Sequence, residues 1–312
     1  MLKQVIEIYD LLSDPAARGA QVAALFPEGR LEVTEAADAE GHRVDFVRIT
    51  FPGSEGKLSG GAAPTLGILG TLGGLRIPDV SKGLVSDADG AIVALACALR
   101  LEQMRGFGER FKGDVIVATH VCQEAIEELH QPFSFMRGPL PKRNMTAPQI
   151  DPAMDAILSI DTSRGNHVCN HDGFAITLPV KEGWILKASP DLLRVMEFTT
   201  GQAPVVFPIA TQDITPYENE LAHINGIMQP ATLTPAPVVG VAITTRAVVP
   251  GIGTGVAHLT HLEVTGRFCL GAAEVFGAGH CAFYDEVEFE RLVELYGSMA
   301  HFQDTKGGEN DE

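Results

Sequence analysis

The spacing of apolar positions along the chain predicts an alternation of helices and strands. Residues 2–26 have apolar side chains at helical spacing, and Asp14 and Pro15 interrupt them, which predicts two successive helices. Residues 43–51 (RVDFVRITF) alternate in polarity like a half-buried strand. Three further segments are almost continuously apolar, as in the central strands of a parallel sheet: APTLGILG, GDVIVATHV and AILSID.

The second half of the chain continues this alternation. GFAITLPV and GWILKAS predict a β-hairpin, SPDLLRVMEFTTG predicts a helix, and PVVFPIA and PVVGVAITT predict strands. Residues 262–277 and 286–300 predict the last two helices. Strands that alternate with helices favour a three-layer α/β/α sandwich, built on a mixed and mostly parallel sheet that is covered on both faces.

Ionisable residues follow several of the predicted strands. Because ligands of a doubly wound sheet bind beyond the carboxyl ends of its strands, these residues are expected at one edge. Asp87 and Asp89 precede a helix, His120 ends a strand, Asp161 ends the next strand, and His258 follows a late strand. Four separate segments therefore deliver a carboxylate or an imidazole to the same edge.

Asp87 and Asp89 stand before the long apolar segment of GLVSDADGAIVALACALRL, and two explanations are open. A carboxylate at this position can cap a helix by accepting hydrogen bonds from the free amides of the first turn. It can also bind a metal ion or transfer a proton at the point where a helix begins. The convergence of other ionisable residues on this edge favours the functional explanation.

Carboxylates and imidazoles together are the ligands of Zn²⁺ and Mn²⁺ sites that keep an open position for water. The segment DTSRGNHVCNH adds His171 shortly after Asp161. The sequence therefore predicts one divalent metal ion, Zn or Mn, with Asp89 placed to transfer a proton. Its candidate ligands are Asp87, His120, Asp161, His171 and His258.

Composition narrows the class of protein. The formal net charge is −17 and the Lys and Arg residues do not cluster in the sequence, which argues against nucleic-acid binding. The apolar segments are too short and too interrupted to cross a membrane, and the N-terminus lacks a secretory leader, so a cytoplasmic protein is expected. Five unevenly spaced cysteines predict reduced thiols. The expected partner is a small-molecule substrate, and a homo-oligomer is compatible with the sequence.

Two aperiodic stretches are candidates for the walls of a site. Residues 130–152 contain five prolines and predict either an active-site lid or an ordinary crossing segment. The stretch TQDITPYENELAHING (211–226) carries four polar residues that suit the amide or carboxylate of a substrate, although hydrogen bonds to the neighbouring backbone are an open alternative. These four candidates for substrate binding are Asp213, Asn219, His223 and Asn225.

The order of these segments resembles the zinc-dependent exopeptidases of the aminopeptidase and deacylase kind. The resemblance runs from the N-terminal helical pair through DFVRITF, PTLGILG, the Asp87-x-x-Gly90 step, GDVIVATHVCQEA and AILSID to PVVGVAITTR. It implies a zinc-peptidase-like sandwich in which Asp87 bridges metal ions, Glu124 is the general base and Asp161 is a metal ligand.

The sequence departs from that pattern at three places. TLG at 71–73 stands where the first metal-binding His is expected, the Glu-Glu pair is reduced to Glu124 and Ala125, and no Arg-Tyr-x-His step follows Arg246. A hydroxyl and a glycine are poor replacements for an imidazole, so any metal site is predicted to be mononuclear or absent.

Four phrases more closely resemble a prokaryotic family described as a domain of unknown function: GLVSDADGAI, AILSIDTSRGN, QDITPYEN and HINGIMQPAT. This resemblance extends from end to end. It implies a single domain over 1–312, with a flexible tail over 303–312.

Three functions follow as alternatives from these observations. The leading one is hydrolysis of an amide or peptide-like bond in a small molecule, assisted by a metal that polarises the carbonyl and activates water. The second is a non-catalytic binding or regulatory protein on the same fold, and the third is a metal-free enzyme with Asp87 and His120 as an acid–base pair. We expect Asp87, His120 and Asp161 to lie within one cleft.

Overall fold

The computed structural model describes residues 1–27, 30–77, 84–85, 87–128, 135–163, 165, 167–223, 226–246 and 257–303. The strands are β1 (Leu31–Ala37), β2 (Arg43–Phe51), β3 (Leu66–Gly70), β4 (Val115–Cys122), β5 (Ile126–Glu128), β6 (Phe135–Arg137), β7 (Ala156–Thr162), β8 (Gly173–Thr177), β9 (Val180–Lys181), β10 (Trp184–Ile185), β11 (Val206–Phe207) and β12 (Val238–Thr244). The helices are α1 (Leu2–Leu12), α2 (Gly19–Ala23), α3 (Asp89–Gly106), α4 (Lys142–Thr146), α5 (Pro190–Thr200), α6 (Leu259–Gly277) and α7 (Glu286–Tyr296). Of the predicted tail, 303–312, all but Gln303 lies outside the described residues.

One mixed sheet of ten strands forms the centre of the fold. Its order is β1-β2-β4-β3-β7-β12-β8-β11, and the small hairpin of β9 and β10 joins it through β12. The four central strands β4, β3, β7 and β12 are parallel, and β2 and β8 flank them in the antiparallel direction. The carboxyl ends of the four central strands therefore meet at one edge, as the sequence predicts.

Several strand assignments differ from the sequence-based expectation. The short strands β5 and β6, which pair with each other in a separate two-stranded sheet, were not predicted. Strand β1 was not predicted, because it pairs only with β2 at the border of the sheet and most of its side chains are exposed, so it shows no apolar face. The predicted hairpin of GFAITLPV and GWILKAS is wrong in its first half. There, β8 pairs with β12 and β11, and only the shorter β9 and β10 turn back on each other.

The first face of the sheet is covered by α1, α3 and α6, which also pack on one another. Residues Asp89–Leu99 of α3 are all buried, since this helix lies between the sheet and the other two helices. A helix enclosed in this way has no solvent-facing stripe, which explains the uninterrupted apolar segment that follows Asp89. The large core cluster lies on this face.

The second face of the sheet is covered mainly by short helical segments rather than by long helices. They are α4 and the 3-10 turns at Ala147–Gln149, Thr211–Ile214 and Gly226–Thr232. A smaller apolar cluster, which includes Leu69, Ile157 and Met228, lies beneath them. The aperiodic stretch 130–152 therefore contributes a wall of the structure through its described residues.

A close backbone approach joins α3 to the carboxyl edge of the sheet. The Ala91 amide donates to the Thr71 carbonyl at 3.1 Å, and the Thr71 amide donates to the Ile160 carbonyl at 2.9 Å. A Cβ atom on Gly90 would lie 2.4 Å from the Ile160 carbonyl oxygen and 2.7 Å from that of Thr71. Only glycine fits there, which gives a packing reason for the Asp-x-x-Gly step.

We expect Gly90→Ala to lower the free energy of unfolding by about 3 kcal/mol or more, because the clashing atoms are backbone carbonyls that cannot rotate away. Gly106→Ala is the matched control on the same helix. A Cβ there meets no atom within 4 Å, so the change should be neutral or stabilise by about 0.5–1 kcal/mol. Urea unfolding of both variants measures the difference, and equal midpoints would contradict this account of the junction.

Candidate active site

The candidate site is a row of residues on the second face, close to the carboxyl edge of the sheet. In β4, Ile116 and Ala118 belong to the second-face cluster, so period-two alternation puts His120 on the same face. In β7, Ile157 belongs to the same cluster, so the same alternation puts Asp161, four residues later, on that face. The strand register places Thr71, the residue after β3, between these two side chains. His120 and Asp161 are thus two strand spacings, about 10 Å, apart at their Cα atoms.

A cleft opens over this row. The cleft is narrow: its 310 Å³ of space between atoms includes open solvent, and there is room among its walls for about one water molecule. Lys142, at the start of α4, lines the cleft, and its Nζ lies 5.8 Å from the centre of the Tyr217 ring. The described residues that line the cleft are Leu69, Thr71, His120, Lys142, Met145, Thr146, Gln149, Ser159, Gly226 and Pro230.

His120 is a buried, neutral imidazole with partners on both ring nitrogens. Nε2 lies 2.5 Å from the Leu72 carbonyl oxygen, and Nδ1 lies 3.2 Å from the Gln149 side-chain amide. Because a carbonyl can only accept, Nε2 carries the proton and Nδ1 accepts from Gln149. Burial, together with the charge of Lys142, lowers the pKa of His120 to about 4, while the hydrogen bond to the Leu72 carbonyl acts in the opposite direction. Neither nitrogen is left to bind a metal ion in this arrangement.

Asp161 is the carboxylate of the row. It is buried, and its Oδ1 accepts a hydrogen bond of 2.8 Å from the Thr162 amide. Burial raises the pKa of Asp161 to about 6, while the positive charge of Lys142 and the Thr162 hydrogen bond act in the opposite direction. Asp161 and His120 therefore both experience the field of the same ammonium group.

The two carboxylates in front of α3 lie at the same edge as Asp161. Neither is the N-cap, because Ala88 takes that position, without a side-chain hydrogen bond, and Asp89 is the first helical residue. Asp89 is buried in the first turn. Asp87 packs against Gly73: its carbonyl accepts from the Gly73 amide at 3.0 Å, and its Oδ2 would lie 3.0 Å from a Cβ there. The N-cap position itself is thus held by neither aspartate, and neither is among the described residues that line the cleft.

The structure holds three other predicted site residues in different surroundings. Glu124 pairs with Arg76 at 2.9 Å, and its second oxygen lies 3.6 Å from His42. His258 is exposed at the N-terminus of α6, and His171 lies half-buried in the loop before β8. None of the three is among the described residues that line the cleft, and Asp161 lies at its border, next to Thr71, rather than in its lining. Of the predicted metal ligands, only His120 lines the cleft, so the predicted gathering is only partly realised.

The loop predicted to bind substrate is held by hydrogen bonds within itself. Asp213 accepts from the Ala210 amide, and Asn219 donates to the Thr215 hydroxyl. His223 is buried, with its ring nitrogens 3.0–3.1 Å from the carbonyl oxygens of Leu221 and Thr215. These contacts match the backbone alternative that the sequence left open. The fourth candidate, Asn225, lies outside the described residues.

The described residues do not fit a metal centre in the cleft. Across the described ranges, three His, Cys, Asp or Glu side chains bring ligand atoms within 4.8 Å of one another at one place. That place is the turn between β1 and β2, formed by Asp38, Glu40 and His42. His120 is already hydrogen-bonded on both nitrogens, and Thr71 supplies only a hydroxyl.

Sequence reasoning missed three residues that line the cleft. Ser159 could have been found, because the alternation in AILSID places it on the same face as Asp161. Lys142 and Gln149 lie in the aperiodic stretch 130–152, where no period indicates which side chain faces the sheet. Their placement depends on how α4 packs on the second face.

Comparison with known proteins supports the fold. A family model described as "Protein of unknown function (DUF1177)" matches residues 35–306. A search of curated proteins finds no match. Among solved structures, an Acidobacteriales bacterium glutaminyl cyclase is 14% identical with a TM-score of 0.51, and the alignment covers 88% of this chain and 95% of that chain. The predicted α/β sandwich of the peptidase kind is thereby confirmed as a fold.

Two further structures are similar at lower scores. A tripeptidase from Staphylococcus aureus is 8% identical with a TM-score of 0.49, covering 89% of this chain and 99% of that one. A dinuclear metal-binding peptidase of the M20 family from Bacillus subtilis is 10% identical with a TM-score of 0.46, covering 88% and 98%.

Among the described residues, no helix is long and apolar enough to cross a membrane.

We expect the His120 imidazole to stay neutral between pH 5 and 8, with the proton on Nε2, because burial lowers its pKa to about 4. Two-dimensional ¹⁵N NMR of histidine-labelled protein reports both the tautomer and the titration, and His120→Gln assigns the signal. A His120 resonance that titrates near 6.5, or one with both nitrogens protonated at pH 7, would contradict the described hydrogen bonds.

Proposed function

The chain belongs to the DUF1177 family, and we propose that it hydrolyses an amide or peptide-like bond in a small molecule, with Asp161 as the general base. The observation that carries the proposal is the position of Asp161: its buried carboxyl group lies beside Thr71, at the border of the cleft that Lys142 lines. Burial there raises the pKa of Asp161 to about 6. A general base works best when its pKa is close to the operating pH. Perturbed carboxyl groups of this kind concentrate at functional sites.

The proposed step begins with a water molecule held in the cleft beside Asp161. The carboxylate takes one proton from this water as the water oxygen adds to the carbonyl carbon of the substrate. The C–N bond then breaks, and Asp161 returns the proton to the leaving nitrogen. Atoms and charge balance, since water is the only reactant consumed besides the substrate.

Lys142 supplies the positive charge for this step. As water adds, the carbonyl oxygen of the substrate becomes an oxyanion, which a fixed cation stabilises most strongly in a site shielded from bulk water. The Lys142 ammonium lines the cleft and acts electrostatically on both Asp161 and His120. A Cβ on Gly226 would lie 3.2 Å from its Nζ, so the ammonium lies close to the backbone of Gly226.

His120 is the positioning residue of the proposed site. Its two hydrogen bonds tie β4 to the Leu72 carbonyl after β3 and to Gln149 in the covering segment. A neutral imidazole is compatible with the nearby ammonium, whereas an imidazolium would repel it. This arrangement sets the geometry of the cleft without requiring His120 to exchange a proton.

The sequence-based prediction of a single Zn²⁺ or Mn²⁺ stays a prediction, and no step here depends on it. Its candidate ligands Asp87 and Asp161 lie at one edge, but the described residues there do not complete a set of three. An ion would polarise the substrate carbonyl and activate water if one were bound. The two versions differ in their response to a chelator, which the assay below includes.

We expect Asp161→Asn to reduce kcat/KM at least about 100-fold, because amide nitrogen and oxygen cannot accept the proton of water. The assay follows release of amine, by ninhydrin, from a panel of N-acetyl amino acids and dipeptides. In the unmodified chain kcat/KM should rise with pH through about 6, as the Asp161 carboxyl ionises. Activity that survives EDTA supports the metal-free version, and activity restored only by Zn²⁺ or Mn²⁺ supports the metal version.

The control variant is Asp151→Asn. Asp151 lies on the covering segment, and its carboxylate pairs with Arg48 of β2. This variant should retain activity.

The pKa of Asp161 is raised in the folded state, so the charge of its carboxylate opposes folding above pH 6 and not at pH 4. Asp161→Asn should therefore be more stable than the unmodified chain at pH 8, by up to about 3 kcal/mol, and equal to it at pH 4. Full activity in Asp161→Asn, or no turnover of any substrate by the unmodified chain, would refute the proposal.

A further inference from the structure

A second cavity lies at the opposite edge of the sheet, where β4 begins and α3 ends. It is an open hollow, with about 280 Å³ of space between atoms when the solvent at its mouth is included. Strand β4 runs from Val115 at this cavity to His120 at the cleft, a distance of about 17 Å at 3.4 Å per residue. The described lining residues are Phe51, Pro52, Gly53, Leu101, Met104, Arg105, Glu109, Arg110, Phe111, Gly113 and Val115.

Two arginines line this cavity, and a third lies close to the ring of Phe51, which is one of its lining residues. Arg105 and Arg110 line it, and Arg30 lies with its guanidinium 5.9 Å from the centre of the Phe51 ring. Burial lowers the pKa of Arg30, and the charges of Arg105 and then Arg110 lower it further, while Glu102 opposes them. Like charges are thus close enough to repel one another in a chain whose net charge is −17.

Part of this positive charge lacks a partner. Arg30 donates to the Thr50 carbonyl at 3.0 Å, and its Nε lies 3.5 Å from Glu102. In contrast, Nη1 of Arg105 is buried and has no hydrogen-bond partner among the described residues. A guanidinium nitrogen excluded from both water and acceptors costs free energy unless a ligand supplies the acceptor. Even with Glu102 and Glu109 counted, the group of three arginines keeps a net positive charge.

The ordinary explanation accounts for one of the three residues. Arg105 lies in the last turn of α3, where a cation stabilises the helix dipole. That effect does not require Arg110, which follows the helix, to line the same cavity, or Arg30 to lie beside Phe51. It also leaves the apolar walls unexplained, which are formed by Phe51, Met104 and Phe111 among others.

We infer that this cavity binds a small organic anion, with its carboxylate or phosphate on Arg105 and Arg110 and its apolar part against Phe51 and Met104. Guanidinium groups bind both kinds of anion through paired, charge-assisted hydrogen bonds. The apolar walls favour an anion that carries a hydrophobic group over inorganic phosphate. This site is separate from the proposed catalytic cleft and does not depend on its function.

Isothermal titration calorimetry with phenyl phosphate, benzoate and inorganic phosphate tests the inference. We expect phenyl phosphate or benzoate to bind at one site per chain, more tightly than inorganic phosphate does. Tighter binding of phenyl phosphate would indicate a phosphate ligand, and tighter binding of benzoate would indicate a carboxylate ligand. Arg105→Met and Arg110→Met should each weaken that binding about tenfold or more, since each removes a charge-assisted contact.

Two variants serve as controls. Arg267→Met removes an arginine paired with Glu263 on α6, and Lys142→Met removes the cation of the other cleft; neither should change the affinity. Arg110 is exposed, so its variant is expected to fold even if Arg105→Met does not. The inference is overturned if neither aromatic anion binds at millimolar concentration, if inorganic phosphate binds as tightly as they do, or if Lys142→Met abolishes binding while Arg110→Met leaves it unchanged.

Discussion

The close contact between the start of α3 and the ends of β3 and β7 is the constraint on which the site depends. The amides of Thr71 and Ala91 connect β7, β3 and α3 in sequence, and Gly90 lets the helix backbone touch both strand ends. This contact determines which side chains at the carboxyl edge of β3 and β7 face α3 and which face the other side of the sheet. Once Ile160 faces α3, the next residue, Asp161, must face the other side of the sheet.

The chemistry of the site follows from that orientation. On the second face Asp161 is covered by the short helical segments rather than by water, so its charge is costly, and Lys142 offsets only part of the cost. His120, in the same row, avoids a similar cost by staying neutral between a carbonyl and an amide. The buried Asp161 carboxylate therefore lies beside Thr71 at the border of a cleft that the Lys142 ammonium lines and whose other described walls are neutral. Such a site costs stability, as functional sites commonly do.

The sequence predicts much of the fold because its central strands and helices have strong periods. AILSID and GDVIVATHV are recognisable as buried parallel strands, and their position along the chain brings Asp161 and His120 to one edge. β1 escapes prediction because an exposed strand at the border of a sheet needs no apolar face. The continuous apolar segment of α3 becomes intelligible only once the helix is seen to be enclosed on all sides.

The candidate site was only partly predictable, for two physical reasons. Lys142 comes from an aperiodic segment, and only tertiary packing decides which of its side chains reach the sheet. Glu124 follows the right strand, but the pairing with Arg76 across an isolated β-bridge turns it towards the β1–β2 side. Strand-end position thus predicts the edge at which a residue lies, whereas the face and the partners depend on contacts distant in sequence.

The most direct test is the pKa of the Asp161 carboxyl group in the folded protein. It can be measured by ¹³C NMR of aspartate-labelled protein, with the signal assigned through its loss in Asp161→Asn. We expect the Asp161 carboxyl group to titrate near pH 6, and its pKa to rise further in Lys142→Met. Arg143→Met is the control: it removes the exposed cation next to Lys142 in the sequence and should leave the pKa of Asp161 unchanged. A carboxyl group that titrates at or below the ordinary value of about 4, unaffected by Lys142→Met, would contradict this expectation.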